Sequence, residues 1–264
     1  MKPIIHSNFG FTLDSNFNKQ VEIWIDNFNG IDNSDSEVKI FVQIEPNEIM
    51  GLNNHIIDLA NNNKIDFIFT YEPQVLYSTN KAVLFEYGTK WIHIDKYEFK
   101  EKEFSISTVC GHKTITKNHQ LRQKIWYKQN RIINPKKFFL SKFGGVENFG
   151  NNPILGDEKE PLFDSMFHIC IENVSKENFF TEKLIDCLLC KTIPIYVGCP
   201  NISNYFNMNG FFIANSAEEA IDICNNLKPD DYYSRKEAVE ENSFLAMKWI
   251  DYNKRLEEKI KEVI

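Results

Sequence analysis

Glu182 and Lys183 stand side by side at the head of an apolar stretch, Leu184 to Cys190, that reads as a helix. Immediately before them the run Glu172 to Thr181 is polar, and before that Met166 to Ile171 is an apolar strand. In open parallel sheets ligands gather beyond the carboxyl ends of strands, where loops and helix N-termini converge. At such an edge a carboxylate can hold ribose hydroxyls, and an ammonium can add its charge to a helix dipole facing a phosphate. Capping of the helix with a solvated lysine is the plainer account of the same pair. Arg122 opens a second expected helix, Leu121 to Gln129, which follows the strand Phe104 to Val109. A guanidinium grips oxygens bidentately and a lysine acts as a point charge, so two such cations converging on one sheet edge suit a diphosphate. Gly144-Gly145 follows another strand end, as a close backbone approach to a ligand or as a turn.

The elements that would position these groups alternate along the chain. Val21 to Ile25, Val38 to Ile44 and Lys64 to Thr70 read as strands, with a helix over residues 51–62 whose Leu52, Ile56, Ile57 and Leu59 share a stripe. Residues 73–102 fit a meander or a loop, and their Tyr71-to-Tyr97 surroundings, including Tyr77, Tyr87 and Trp91, suit either core packing or sugar stacking. Downstream come strands at Phe104–Val109, Lys137–Ser141, Met166–Ile171, Ile193–Val197 and Phe211–Ile213, helices over 182–190 and 217–227, and a charged helical tail from Lys236 to Ile264. The alternation predicts an α/β chain with open parallel sheets covered on both faces. The polar stretch Lys96 to Glu103 divides it into an N-terminal lobe, residues 1–102, and a C-terminal lobe, residues 103–264, with a cleft between them.

Composition narrows the partners. Among 264 residues, 37 acidic and 30 basic side chains leave a formal charge of -7, which disfavours nucleic acid and anionic lipid. No apolar run reaches the length of a transmembrane segment and Met1 to His6 lacks an export signal, so a cytoplasmic protein is expected. Cys187 and Cys190 form the one CxxC, and without two further ligands at suitable spacing they read as buried thiols, with no metal site. His93, His112 and His119 make no triad with a carboxylate or serine.

Three segments, Phe167-His168-Ile169-Cys170-Ile171-Glu172-Asn173, Phe179-Phe180-Thr181-Glu182-Lys183-Leu184 and Thr192-Ile193-Pro194-Ile195-Tyr196-Val197-Gly198-Cys199-Pro200, resemble the donor-binding region of family 10 glycosyltransferases, the α-1,3/1,4-fucosyltransferases. Weaker similarity reaches back through Gly144-Gly145, Leu121-Arg122 and Phe41-Val42-Gln43-Ile44-Glu45. The resemblance implies a GT-B fold of two Rossmann-like lobes, GDP-fucose as a nucleotide-sugar donor, an oligosaccharide or glycan acceptor, inversion at the sugar carbon and no required metal. It implies further that Arg122 and Lys183 bind the pyrophosphate, Glu182 the ribose and Asn173 the donor. Phe179 stands where relatives carry a nucleotide-contacting tyrosine, and Glu45 matches the catalytic base, with Glu48 and Glu72 as competitors. Alternatives are a GT-B transferase for a different nucleotide sugar, or a glycan- or nucleotide-binding module without turnover. Oligomeric state is open.

Overall fold

The computed structural model describes residues 1–8, 10–148 and 151–264. The chain divides into two compact units, residues 1–87 with 177–179 and 251–264, and residues 88–176 with 180–250. The first carries the strands β1 (Ile4–Ser7), β2 (Val21–Ile25), β3 (Val38–Val42), β4 (Phe67–Thr70) and β5 (Ala82–Leu84), all parallel and side by side in that order. Between strands run the short helices α1 (Asn47–Met50), α2 (Asn53–Asn61) and α3 (Pro73–Ser78). Every residue of β2 is buried, because successive side chains serve opposite faces and both faces are covered. Trp24, Phe41 and Ile68 pack with Leu52, Ile56 and Leu59 on one side. Ile23, Ile25, Ile40 and Val42 pack on the other with Leu256 and Ile260.

In the second unit β6 (Glu103–Cys110), β7 (Lys136–Ser141), β8 (Ile154–Leu155), β9 (Ser165–Ile171), β10 (Ile193–Val197) and β11 (Phe212–Ile213) form a parallel sheet in the order β11-β10-β9-β6-β7-β8. The helices are α4 (Lys117–Tyr127), α5 (Glu182–Leu189), α6 (Ala217–Asn226), α7 (Pro229–Tyr233) and α8 (Lys236–Ala246). Phe167, Ile169 and Ile171 of β9 join a core with Ile125, Trp126, Ala220 and Ile221, and Cys170 joins the opposite core with Leu184, Ile185 and Leu188. The final helix, α9 (Tyr252–Val263), belongs to the first unit.

Several expectations differ from this architecture: the stretch 73–102, expected as a meander or a loop, contains the helix α3 and the strand β5, which pairs in parallel with β4. Residues 88–102 group with the second unit and not with the N-terminal one, because the amides of Trp91 and Ile92 donate to Asp186 Oδ1 at 2.9 and 3.3 Å and Ile92 enters the core beside α5. The tail from Lys236 is not one helix. It breaks at Asp251, whose carboxylate caps α9 by accepting from Lys254 N at 2.9 Å, and α9 then returns to the first sheet. Glu257 ties it there, accepting from the Ser15 amide at 2.9 Å and from the Ser15 hydroxyl. Further, α4 starts at Lys117 and not at Leu121, since Thr116 and His119 form a capping box, so Arg122 lies in the second turn. The expected CxxC is a pair of buried thiols, Cys187 on α5 and Cys190 at its end.

Leu256 is fully buried in the core of the first unit, packed with residues of the first sheet. Leu256→Ala is expected to destabilise the protein by about 2–5 kcal/mol, measured by urea unfolding followed by circular dichroism.

Candidate functional site

At the carboxyl end of β9 the chain carries Glu172 straight into the interior, with 0% exposure, while its backbone N–H still donates to Val197 O on β10. An isolated buried carboxylate is costly, and this one is met by Thr181, whose amide donates to Oε1 at 2.9 Å and whose hydroxyl donates to Oε2 at 2.7 Å. The same hydroxyl oxygen accepts from Lys183 N at 3.3 Å and so caps α5. One threonine thereby closes the 172–181 loop and starts the helix that carries Glu182 and Lys183.

Lys183 Nζ lies 3.0 Å from Glu182 Oε1 and 3.2 Å from Thr181 Oγ1. Burial works against the ammonium, but the Glu182 and Glu172 charges outweigh it and hold the Lys183 pKa above its usual value. For Glu182 burial pushes the pKa up and Lys183 pulls it further down, so the carboxylate is ionised. Glu172 goes the other way: burial dominates and raises its pKa despite Lys183. Arg122 Nη2 donates to the carbonyl of Ile171, the last residue of β9, at 2.6 Å. For its guanidinium burial wins and lowers the pKa, with Cys110, Glu172 and Glu182 pulling the other way. Arginine and lysine therefore sit in the field of the same two carboxylates at one strand end.

Asn173 is fixed by the start of α4. Its carbonyl accepts from the Thr116 hydroxyl at 2.5 Å, and its Oδ1 lies 3.1 Å from His119 Nε2. His119 Nδ1 accepts from the Thr116 amide at 3.3 Å, so Nε2 carries the proton and the imidazole is neutral. Burial, followed by the nearby Arg122, lowers the His119 pKa to about 4. Histidine read as chemically silent in the sequence thus holds the expected donor-site amide.

Behind Glu182 and Lys183 a recess of about 40 Å3 is lined by Val109, Lys159, Leu162, Phe163, His168 and Asp186 in addition to that pair. Glu182 and Asp186 share a helix face, one turn apart. Burial raises Asp186 to about 7 against the pull of the Trp91 amide. His168 is pushed down to about 3 by burial, and its Nδ1 lies 2.8 Å from the Ser107 hydroxyl. Lys159 covers the Trp91 ring at 4.9 Å. Sequence reasoning assigned none of Glu172, Lys159, His168 or Asp186 a role; the one available signal was His168 in an otherwise apolar strand, on the face away from Phe167 and Ile169.

Of the remaining expected residues, Gly144 and Gly145 lie in the second unit, and Glu45, Glu48, Glu72, Phe179, Tyr71 and Tyr77 in the first. Glu45 is half-buried just beyond β3. Glu72 is 1% exposed and accepts from Asn47 N at 2.9 Å and Asn53 Nδ2 at 3.3 Å, inside a network with Gln43 and Thr70. Glu48 is exposed on α1. Phe179 groups with this unit, 1% exposed, with its ring 4.7 Å from that of Tyr71. Tyr71 is core and Tyr77 is 87% exposed. Gly144 and Gly145 form a left-handed turn, and a Cβ on Gly145 would lie 2.3 Å from His112 Cβ.

No family model matches the chain. A segment of 83 residues, 30% of the chain, is 36% identical to the α-(1,3)-fucosyltransferase FucT of Helicobacter pylori and spans 17% of that relative. The chain resembles the α-1,3-fucosyltransferases. A crystal structure of an α1,3-fucosyltransferase with GDP-fucose superposes with a TM-score of 0.52 at 18% identity, covering 84% of this chain and 69% of that one. The apo structure of OtsA gives 0.60 at 9% identity over 93% and 74%. These likenesses establish the fold: two Rossmann-like sheets of the GT-B glycosyltransferase type. Among the described residues no helix is long and apolar enough to cross a membrane.

The neutral His119 makes a pH signature. Its folded pKa of about 4 lies below the ordinary 6.5, so the unfolded chain binds the extra proton between those values and stability is lost as pH falls through them. Asp186 acts oppositely in the same window, but it is common to wild type and variant. Melting temperatures of wild type and His119→Gln measured from pH 7 to 4 are expected to converge as the pH drops. Thr181→Val, which removes the hydroxyl bonds to Glu172, the Lys183 amide and Lys183 Nζ and leaves Glu172 short of a donor, is expected to cost about 1–3 kcal/mol in chemical denaturation.

Proposed function

We propose that the chain is an inverting glycosyltransferase that moves fucose from GDP-fucose to a hydroxyl of a glycan acceptor. The observation that carries this reading is the meeting of Arg122 and Lys183 over Glu172 and Glu182 at the carboxyl end of β9. Arg122 offers a fork of donors and Lys183 a compact charge, the combination that suits the two phosphorus centres of a nucleoside diphosphate. Glu182, ionised and at the first position of α5, accepts from ribose hydroxyls. Asn173, held by His119 and Thr116, contributes a fixed amide beside the arginine helix. The similarity to FucT supports the family of the reaction, and the relative solved with GDP-fucose supports the donor.

In the reaction the acceptor oxygen bonds to the anomeric carbon as the bond from that carbon to the β-phosphate oxygen breaks. Positive charge grows on the sugar ring and negative charge on the leaving diphosphate. Arg122 and Lys183, already oriented by buried partners, stabilise the latter without reorganising. Glu45 takes the acceptor proton. Among the competing carboxylates Glu72 is committed to the α1 and α2 backbone network, which leaves Glu45 the better candidate. The α5 amides contribute less than an open helix end would, since the N–H groups of Thr181 and Lys183 are spent on Glu172 and Thr181.

Calorimetric titration with GDP, GDP-fucose and UDP-sugars tests the donor. Arg122→Ala and Lys183→Ala are each expected to weaken GDP binding tenfold or more, and equal binding of UDP-glucose and GDP-fucose would overturn the donor assignment. Glu45→Gln is expected to lower GDP release from GDP-fucose by about 10²–10⁴-fold with GDP affinity unchanged; a variant that turns over normally removes Glu45 from the role.

A further inference from the structure

The backbone that bears Glu45 lies past the last sheet bond of β3, where Gln43 N donates to Phe69 O, and no strand among the described residues pairs with it. Its polar groups are met by side chains instead. Asp26, the residue after β2, is 5% exposed and has a left-handed backbone, φ 46°, while its own amide donates to Val42 O at 3.1 Å. From there Oδ1 accepts from Ile44 N at 2.9 Å and Oδ2 from Glu45 N at 2.8 Å. On the other side the Tyr71 hydroxyl donates to Ile44 O at 2.8 Å. Pro46 follows, lacks an N–H, and restricts Glu45 to an extended backbone. A carboxylate at an ordinary strand end has none of these restraints.

We propose that Asp26 is a positioning residue for Glu45, a buried carboxylate that clamps two successive backbone amides and so fixes the main chain from which the proposed base projects. The inference rests on the reading of Glu45 as the base. Burial lifts the Asp26 acid to about 7, against the two amides that favour its charge, and the neighbouring Glu45 charge adds to the rise. The other titratable groups in its field are the phenols of Tyr71 and of Tyr252 on α9. Only the ionised form offers two equivalent charged acceptors, so protonation weakens the amide bonds and loosens the clamp. The clamp therefore engages as pH rises through about 7.

Asp26→Asn keeps a side chain that tolerates the left-handed backbone but turns one acceptor into an N–H facing an N–H. Rates of GDP release from GDP-fucose, with a panel of oligosaccharide acceptors and with water, are measured between pH 5.5 and 9 beside amide hydrogen exchange at residues 44 and 45. Asp26→Asn is expected to lower kcat at least tenfold with KM for GDP-fucose unchanged, to abolish the acid limb near pH 7, and to speed exchange at those two amides at least tenfold. Tyr71→Phe, which keeps the ring and loses one bond, is expected to give a smaller fall in kcat. An inactive Glu45→Gln together with an Asp26→Asn that retains wild-type kcat, pH profile and protection overturns the inference alone. An active Glu45→Gln overturns the base, and the exchange measurement then still decides the clamp.

Discussion

Glu172 leaves β9 with its carboxylate in the protein interior, and Thr181 is the group that answers it. Because both oxygens of the carboxylate are taken by one residue, the loop between them returns to its starting point and α5 begins at a fixed place relative to the strand end. Lys183 and Glu182 inherit their positions from that tie, and Arg122 reaches the same strand end from α4 by bonding to the carbonyl beside Glu172. Electrostatics then binds the group together. A raised Glu172 and a lowered Glu182 are two acids separated by environment: one shielded from solvent behind a threonine, the other one helical position from an ammonium.

The first unit solves a related problem by similar means. Sheet bonds end at Gln43, and beyond them Asp26 and Tyr71 serve as substitutes for a missing strand. Glu72 does the same for the start of α1, so two buried acids in this unit are spent on backbone amides at strand ends. Parallel sheets leave such amides unpaired wherever a strand outlasts its neighbour, and an aspartate or glutamate from the adjacent strand end is the group within reach. Carboxylates at the carboxyl edge of these sheets are thus of two kinds, those holding the chain and those left half-exposed, as Glu45 is.

Much of this was readable in the residues. β2, β3, β9 and β10 are apolar runs because each is covered on both faces, and that pattern survives in the sequence without any knowledge of partners. Glu182 and Lys183 were legible for the same reason, standing where such a run meets an amphipathic helix. β1 was not, since it is a four-residue edge strand with no fully buried side chain. The true start of α4 was hidden because its capping box uses a histidine in place of the usual acid. Asp26, Asp186 and Glu172 acquire meaning only through amides that lie far along the chain or across a closed loop, and neither spacing nor periodicity encodes those pairings.

Leu256 and Ile260 complete a hydrophobic layer whose other members, from Val21 to Val42, lie near the opposite end of the polypeptide. During synthesis β2 and β3 are therefore made before the second sheet and α9 after it, so one apolar face of the first sheet waits uncovered while the second sheet is made.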